Sequence, residues 1–240
     1  MRSVSLSLSV TALFLSPLAL GQVRNVQSGF FDFNFYPVLS AVDNDSVMTV
    51  NLAANLNSGW SYFSLTNFYN QTDNDEFSDT NSFYTEQNIR WKIRQSPFDL
   101  TAQFNLRSGE DNDRHRFGFR WRMGDSTYLK PVFKALNLSW SMNFHVLQID
   151  DTDAHEWQLE HVYLLRFPYL TERLYLGGFI DHTFGESLPD TMPENPFVSE
   201  SQLGYRLVEN MFLVIEYRYN QYRLDKEENI ALGLEYKLLW

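Results

Sequence analysis

The sequence predicts a transmembrane antiparallel β-barrel of about twelve strands, and three observations carry that expectation. Residues 228–240 alternate strictly. Ile230, Leu232, Leu234, Tyr236, Leu238 and Trp240 fall on one face, and Ala231, Gly233, Glu235, Lys237 and Leu239 on the other. That is the period of two of a β-strand with one apolar and one mostly polar face. The same alternation recurs in eleven earlier segments. The connections between segments then take turns, one long or acidic and the next mostly tight, as a barrel with loops at one end and turns at the other demands.

The elements follow in order. The first strand, 29–37, sets Phe31, Phe33 and Phe35 against Asp32 and Asn34. The second, 46–57, sets Met48, Val50, Leu52, Ala54 and Leu56 against Thr49, Asn51, Asn55 and Asn57. The third, 60–70, is aromatic on both faces, so its facing stays open. In the fourth, 82–94, Phe83, Ile89, Trp91 and Ile93 oppose Glu86, Asn88, Arg90, Lys92 and Arg94. In the fifth, 97–107, Phe98, Leu100, Ala102, Phe104 and Leu106 oppose Asp99, Thr101, Gln103, Asn105 and Arg107. In the sixth, 114–123, Phe117, Phe119, Trp121 and Met123 oppose Arg114, Arg116, Gly118, Arg120 and Arg122.

The second half repeats the pattern. The seventh strand, 135–148, puts Leu136, Leu138, Trp140, Met142, Phe144 and Val146 on its apolar face. The eighth, 155–167, opposes Trp157, Leu159, Tyr163, Leu165 and Phe167 to Glu156, Gln158, Glu160 and Arg166. The ninth, 172–184, opposes Leu174, Leu176 and Ile180 to Arg173, Tyr175 and Asp181. The tenth, 197–207, and the eleventh, 210–221, carry Glu200, Gln202 and Arg206, and Glu216, Arg218 and Asn220, on their polar faces. The stretch 228–240 is the twelfth.

Connections 41–45, 71–81, 108–113, 150–154, 185–196 and 224–227 are long or acidic; 58–59, 95–96, 168–171 and 208–209 are tight, and 124–134 is a longer exception. Trp60, Trp91, Trp121 and Trp240 collect at the turn end and Trp157 at the loop end, as aromatic girdles do at headgroup depth. In an outer membrane, the turns and both termini lie on the periplasmic side and the loops outside. A soluble barrel is the competing expectation. Its apolar faces would point inward, and such barrels typically have about eight strands.

Residues 1–21 read as a cleaved secretory signal, with Arg2 at the start, an apolar run over 10–20 and a small-x-small site at Ala19, Leu20 and Gly21. The run is shorter than the roughly 20 residues a spanning helix needs. The barrel domain is then 22–240, in the outer membrane of a Gram-negative cell. The chain has no cysteine, which removes disulfides and thiolate chemistry. A formal net charge of −11 argues against a nucleic-acid partner.

With the apolar faces toward lipid, the polar faces line the lumen. One side is basic: Arg90, Lys92, Arg94, Arg107, Arg114, Arg116, Arg120 and Arg122. The other mixes Glu156, Glu160, Asp181, Glu200 and Glu216 with Arg166, Arg173, Arg206, Arg218 and Lys237. Such walls produce a strong transverse field and set solute preference. Tyr62, Tyr84, Tyr175 and Phe179 are lumen candidates that either stack a solute or plug the bore. The opposing expectation is that these charges cross-link the wall, with Asp99 beside Lys92 and Arg122.

Two acidic groups, Asp73, Asp75, Glu76 and Asp79, and Asp150, Asp151 and Asp153, supply oxygen ligands of the kind Ca²⁺ takes. Neither has the spacing of an EF-hand loop. Solvated loops, or cation bridging to lipopolysaccharide, are the simpler reading, and no metal or cofactor is implied. His115, His161 and His182 face outward, where a lipid-modifying enzyme would keep its base. No serine motif supplies the nucleophile.

The C-terminal strand closing on Trp240 resembles the insertion signal read by the barrel-assembly machinery. Twelve strands behind a signal segment, with a charged and aromatic lumen, resemble the nucleoside-specific channel (Tsx-like) family. They also resemble the oligogalacturonate and sialic-acid porin family, whose lumen is marked by basic residues. The stretches 84–91 and 107–116 are distinctive, but no family ligand residue maps onto them. Acids and aromatics among the arginines favour the nucleoside group. The resemblance implies a passive channel for a small polar solute, nucleoside-like or an acidic sugar. A lipid-modifying barrel enzyme and a closed barrel with a structural or surface-interaction role are the alternatives.

Overall fold

The computed structural model describes residues 26–39, 46–70, 80–109, 113–149, 156–223 and 227–240. The segment 1–21 and both candidate calcium clusters lie outside the described residues. The strands are β1 (Val26–Leu39), β2 (Ser46–Leu56), β3 (Trp60–Asn70), β4 (Thr80–Lys92), β5 (Phe98–Arg107), β6 (Arg114–Arg122), β7 (Leu138–Ile149), β8 (Trp157–Arg166), β9 (Leu174–Phe184), β10 (Phe197–Val208), β11 (Met211–Asn220) and β12 (Glu228–Leu239). Each pairs antiparallel with its neighbours in sequence, and β12 pairs with β1, closing a twelve-stranded barrel. Closure runs through Phe31 opposite Leu238 and Asp32 opposite Lys237. At the seam Trp240 N donates to Gly29 O (3.2 Å) and Gly29 N to Trp240 O (3.0 Å). Closure leaves no open sheet edge.

The period-two pattern predicts which way each side chain points, and burial agrees. Twenty-five buried side chains among the described residues are polar or charged, against five apolar ones. Leu213, Ile215, Tyr217, Leu232, Leu234 and Tyr236, by contrast, are exposed on the outer wall. A soluble barrel would show the reverse. An apolar belt around a polar interior is the arrangement of a barrel that spans a bilayer. Ring pairs mark both rims. Trp60 and Trp91 lie 6.5 Å apart and Phe98 and Trp121 6.2 Å apart at the turn end. Trp157 stacks on Phe184 at 4.0 Å at the loop end.

Three local features differ from the expectation. The connection between β6 and β7 is structured: a 3-10 turn over Met123–Asp125 leads into helix α1, Lys130–Leu136. Pro131 suits the first turn of a helix, and Asn137 ends it in the left-handed region (φ 51°). The seventh strand therefore starts at Leu138 rather than 135.

A register shift sits where Phe117 and Gly118 face Leu147 and His145. Val146 is the extra residue, so the outward series continues through Leu147 and Ile149 while Gln148 turns inward. A Cβ at Gly118 would overlap the backbone of Phe144, so this bulge needs glycine.

The facing of β3 is set by its neighbours. Asn67 pairs with the inward Thr49, and Tyr62 pairs with the outward Ile89. Tyr62 thus turns its hydroxyl toward Gln87 on the outer side, although the residue still borders the internal cavity.

Candidate functional site

The polar faces meet inside the barrel. Of the eight bases expected as a wall on β4 to β6, four, Arg114, Arg116, Arg120 and Arg122, are held in ion pairs. Asp99 on β5 holds Arg120 (Nε to Oδ2, 2.7 Å) and also Arg122, which in turn donates to Asp125 (2.7 Å). Lys92 lies opposite Asp99, exposed at the turn end. Two strands away, Glu156 accepts from Arg114 and Arg116, each at 3.1 Å.

Arg116 is only 3% exposed. Besides Glu156, it donates to Gln148 (2.6 Å), Gln158 (2.7 Å) and Gln103 (3.2 Å). A buried guanidinium that fills its donor fork in this way is a cross-strand brace. The expectation that charges cross-link the wall fits these residues better than a solute-facing role. Arg94 and Arg173 lie in turns and not in the lumen wall.

Arg107 and Arg90 are arranged differently. Arg107 sits over the Tyr84 ring (5.3 Å) and Arg90 over the Phe63 ring (5.7 Å). Tyr84 faces inward and donates to Glu86 at 3.3 Å.

The opposite wall, β9 to β12 with β1, is built around two tyrosines. Tyr36 donates its one hydroxyl proton to Glu216 (2.6 Å), with Gln202 Oε1 3.1 Å from the same oxygen, beneath the Arg218 guanidinium at 4.6 Å. Arg218 also bridges Glu216 at 2.5 Å. Tyr175 donates to Glu235 and accepts from Gln202. Its ring lies where a Cβ of Gly204 would be, so the glycine makes the space that lets a β9 side chain reach β12. Lys237 pairs with Glu235 (2.5 Å) and Asp32 (3.5 Å).

Midway along the barrel, Glu160 and Asp181 stand side by side in register. Asn143 donates to Glu160 (2.5 Å), and His145 Nε2 lies 3.5 Å from the same carboxylate. Glu86 accepts from Asn88 at 2.5 Å.

These groups surround a cavity of about 440 Å³ whose lining runs from Phe30, Lys237 and Arg120 toward the turn end to Tyr84, Asp181 and Glu200 toward the loop end. At the loop end, Glu186 on the β9–β10 connection accepts from Arg114 (2.7 Å) and from the Tyr222 hydroxyl on the β11–β12 connection. This ties that connection across the mouth. Burial, and then the Glu186 carboxylate, push the Tyr222 phenol well above its ordinary range.

Of the sequence candidates, Tyr84, Arg90, Arg120, Glu160, Tyr175, Phe179, Asp181, Glu200 and Glu216 line the cavity, whereas Arg107, Arg114, Arg116, Arg122 and Glu156 do not. Asp32, Tyr36, Glu86 and Glu235 also line it. Asp32, Glu86 and Glu235 were readable as inward positions. Tyr36 continues the face of Asp32 and Asn34, so its inward position follows from the same alternation.

The three histidines sit on the outer wall. His161 Nδ1 accepts from the Trp140 indole (3.2 Å), His182 Nε2 faces Asn195 O (3.1 Å) and His115 packs edge-on against Phe104. No serine hydroxyl among the described residues is hydrogen-bonded to any of them.

No protein-family model matches the chain, and no curated protein does. Among solved structures it is similar to the KdgM porin, at 15% identity over 88% of this chain and 98% of that one, with a TM-score of 0.49. The NanC porin matches at 10% identity, over 88% and 100% of the two chains, with a TM-score of 0.49. An outer membrane channel from Pseudomonas putida F1 matches at 10% identity, over 90% and 96%, with a TM-score of 0.42.

Proposed function

We propose that the protein is an outer-membrane channel through which a small polar solute diffuses passively. The observation that carries this reading is a polar cavity of about 440 Å³ enclosed by a barrel whose outer wall is apolar. Water and a polar solute are stable in such a lumen, and lipid is stable against such a wall. In this reading residues 1–21 direct export and are removed. The C-terminal strand ending at Trp240 engages the barrel-assembly machinery, and the outer belt meets outer-membrane lipid and lipopolysaccharide. The turns face the periplasm.

Of the two solute classes the sequence raised, the lining favours a nucleoside-like molecule over an acidic sugar. Carboxylates around the cavity outnumber basic side chains by seven to three, so an anion would enter against the local field. Phe179 offers a ring on which a planar base can stack. Liposome swelling tests this. Vesicles carrying the folded protein should swell faster in uridine than in glucuronate. Swelling no faster than protein-free vesicles in either solute overturns the channel reading.

A further inference from the structure

Of the three bases lining the cavity, Arg120 is engaged by Asp99 and Lys237 by Glu235 and Asp32. Arg90 rests on the Phe63 ring. Among the described residues, Glu86, Glu160 and Asp181 have no lysine or arginine within ion-pair distance. One guanidinium is set against three carboxyl groups in the mid-lumen, and the Oδ1 of Asp181 is buried without a hydrogen bond.

The amides give a second and independent indication. Asn143 is fully buried, lines the cavity and gives its Nδ2 to Glu160, while its Oδ1 has no partner. Asn34 is 3% exposed, lines the same cavity and gives its Nδ2 to Asp32, and its Oδ1 also has no partner. An amide that points its N–H groups at a carboxylate must turn its oxygen elsewhere. Both oxygens are therefore acceptors in want of a donor. A ligand rich in N–H donors satisfies them, and an anion adds one more acceptor. No group of three His, Asp or Glu among the described residues is spaced to hold a metal ion. The charge that fits is an organic cation, which the Phe179 ring lining the same cavity also favours.

We propose that the mid-lumen binds a positively charged nitrogen, an ammonium or guanidinium group on a small solute, among Glu86, Glu160, Asp181 and Asn143. The proposal rests on the channel reading for the solute's route, but its binding test does not depend on conduction. Isothermal titration of the folded chain in detergent, with tyramine and 4-hydroxyphenylacetate, compares opposite charges on the same phenol. Tyramine should bind at least about tenfold more tightly. Asp181→Asn and Glu160→Gln should each weaken tyramine binding, with heat-modifiable migration reporting that the variants fold; Glu86→Gln is the alternative if either does not. Equal affinities, or tighter binding of the anion, overturn the proposal. A barrel that binds tyramine but passes no current refutes the channel and leaves the charge preference standing. A conducting barrel that prefers the anion does the reverse.

Discussion

Replacing Arg116 with Met separates a structural brace from a solute-facing base. In the folded barrel Arg116 is 3% exposed and makes four charge-assisted hydrogen bonds, to Gln148, Gln103, Gln158 and Glu156. Met keeps much of the side-chain volume and takes away every donor. Glu156 keeps Arg114 at 3.1 Å and the Gln148 amide at 2.9 Å, so it is not left alone. Breaking one partner out of a buried ion pair costs about 3–5 kcal/mol, and the surviving Arg114 contact puts this case near about 3 kcal/mol. With a urea dependence of about 2 kcal/mol per molar, the unfolding midpoint should fall by roughly 1.5 M. The assay is equilibrium unfolding in lipid vesicles, followed by tryptophan fluorescence. Arg116→Met combined with Glu156→Gln should lose less than the sum of the two single changes, with a coupling above about 0.5 kcal/mol. A loss under about 1 kcal/mol, within the range of an exposed ion pair, would refute the reasoning and return Arg116 to the hydrated lumen surface.

Ile215→Arg puts a charge on the outer wall of β11, where the side chain is 47% exposed. It should cost about 2–4 kcal/mol of vesicle-measured stability, and no measurable cost would mean that this wall faces water. Asp99→Asn removes the partner of Arg120 and leaves Arg122 with Asp125. Its reversal potential in a salt gradient should move toward anions, and an unmoved potential would place Arg120 away from the permeation path. The folded chain keeps the Tyr222 proton beyond the ordinary value of 10.0, at which the unfolded chain releases it. Stability should therefore be intact below that pH and fall as the pH rises above it, through the folded-state range. Tyr222→Phe should flatten that slope, and identical slopes would contradict the tether to Glu186.

Strand positions were legible because facing alone fixes them. The second strand was expected at 46–57 and spans Ser46–Leu56, and the fourth was expected at 82–94 and spans Thr80–Lys92. Facing failed in β3, where Tyr62, Phe63, Leu65 and Phe68 make both series apolar; only the inward Thr49 and Glu86 alongside resolve it. Helix α1 was concealed because Leu136 extends the alternation of β7 backward by one step. Pro131 and Asn137 were the signals of a helix there.

Lumen charges divide by distance across the wall. Asp99 beside Arg122 was anticipated from the β5–β6 hairpin, and the register adds Arg120 directly opposite. Glu156 with Arg116 spans β6 to β8, and Tyr36 with Glu216 crosses the closure to β11. Those pairings depend on strand stagger and on the bulges, which no single segment encodes. The arginines consequently read as a basic solute-facing surface, although Arg114, Arg116, Arg120 and Arg122 are held in ion pairs within the wall.

Single-channel recording of the folded, heat-modifiable protein in a planar bilayer tests the central claim most directly. Discrete conductance steps are expected, reduced by a small polar solute that enters the lumen. A barrel that inserts and remains folded, yet never conducts at any applied voltage, would contradict that claim, and the cavity between Arg90 and Asp181 would then be a closed pocket.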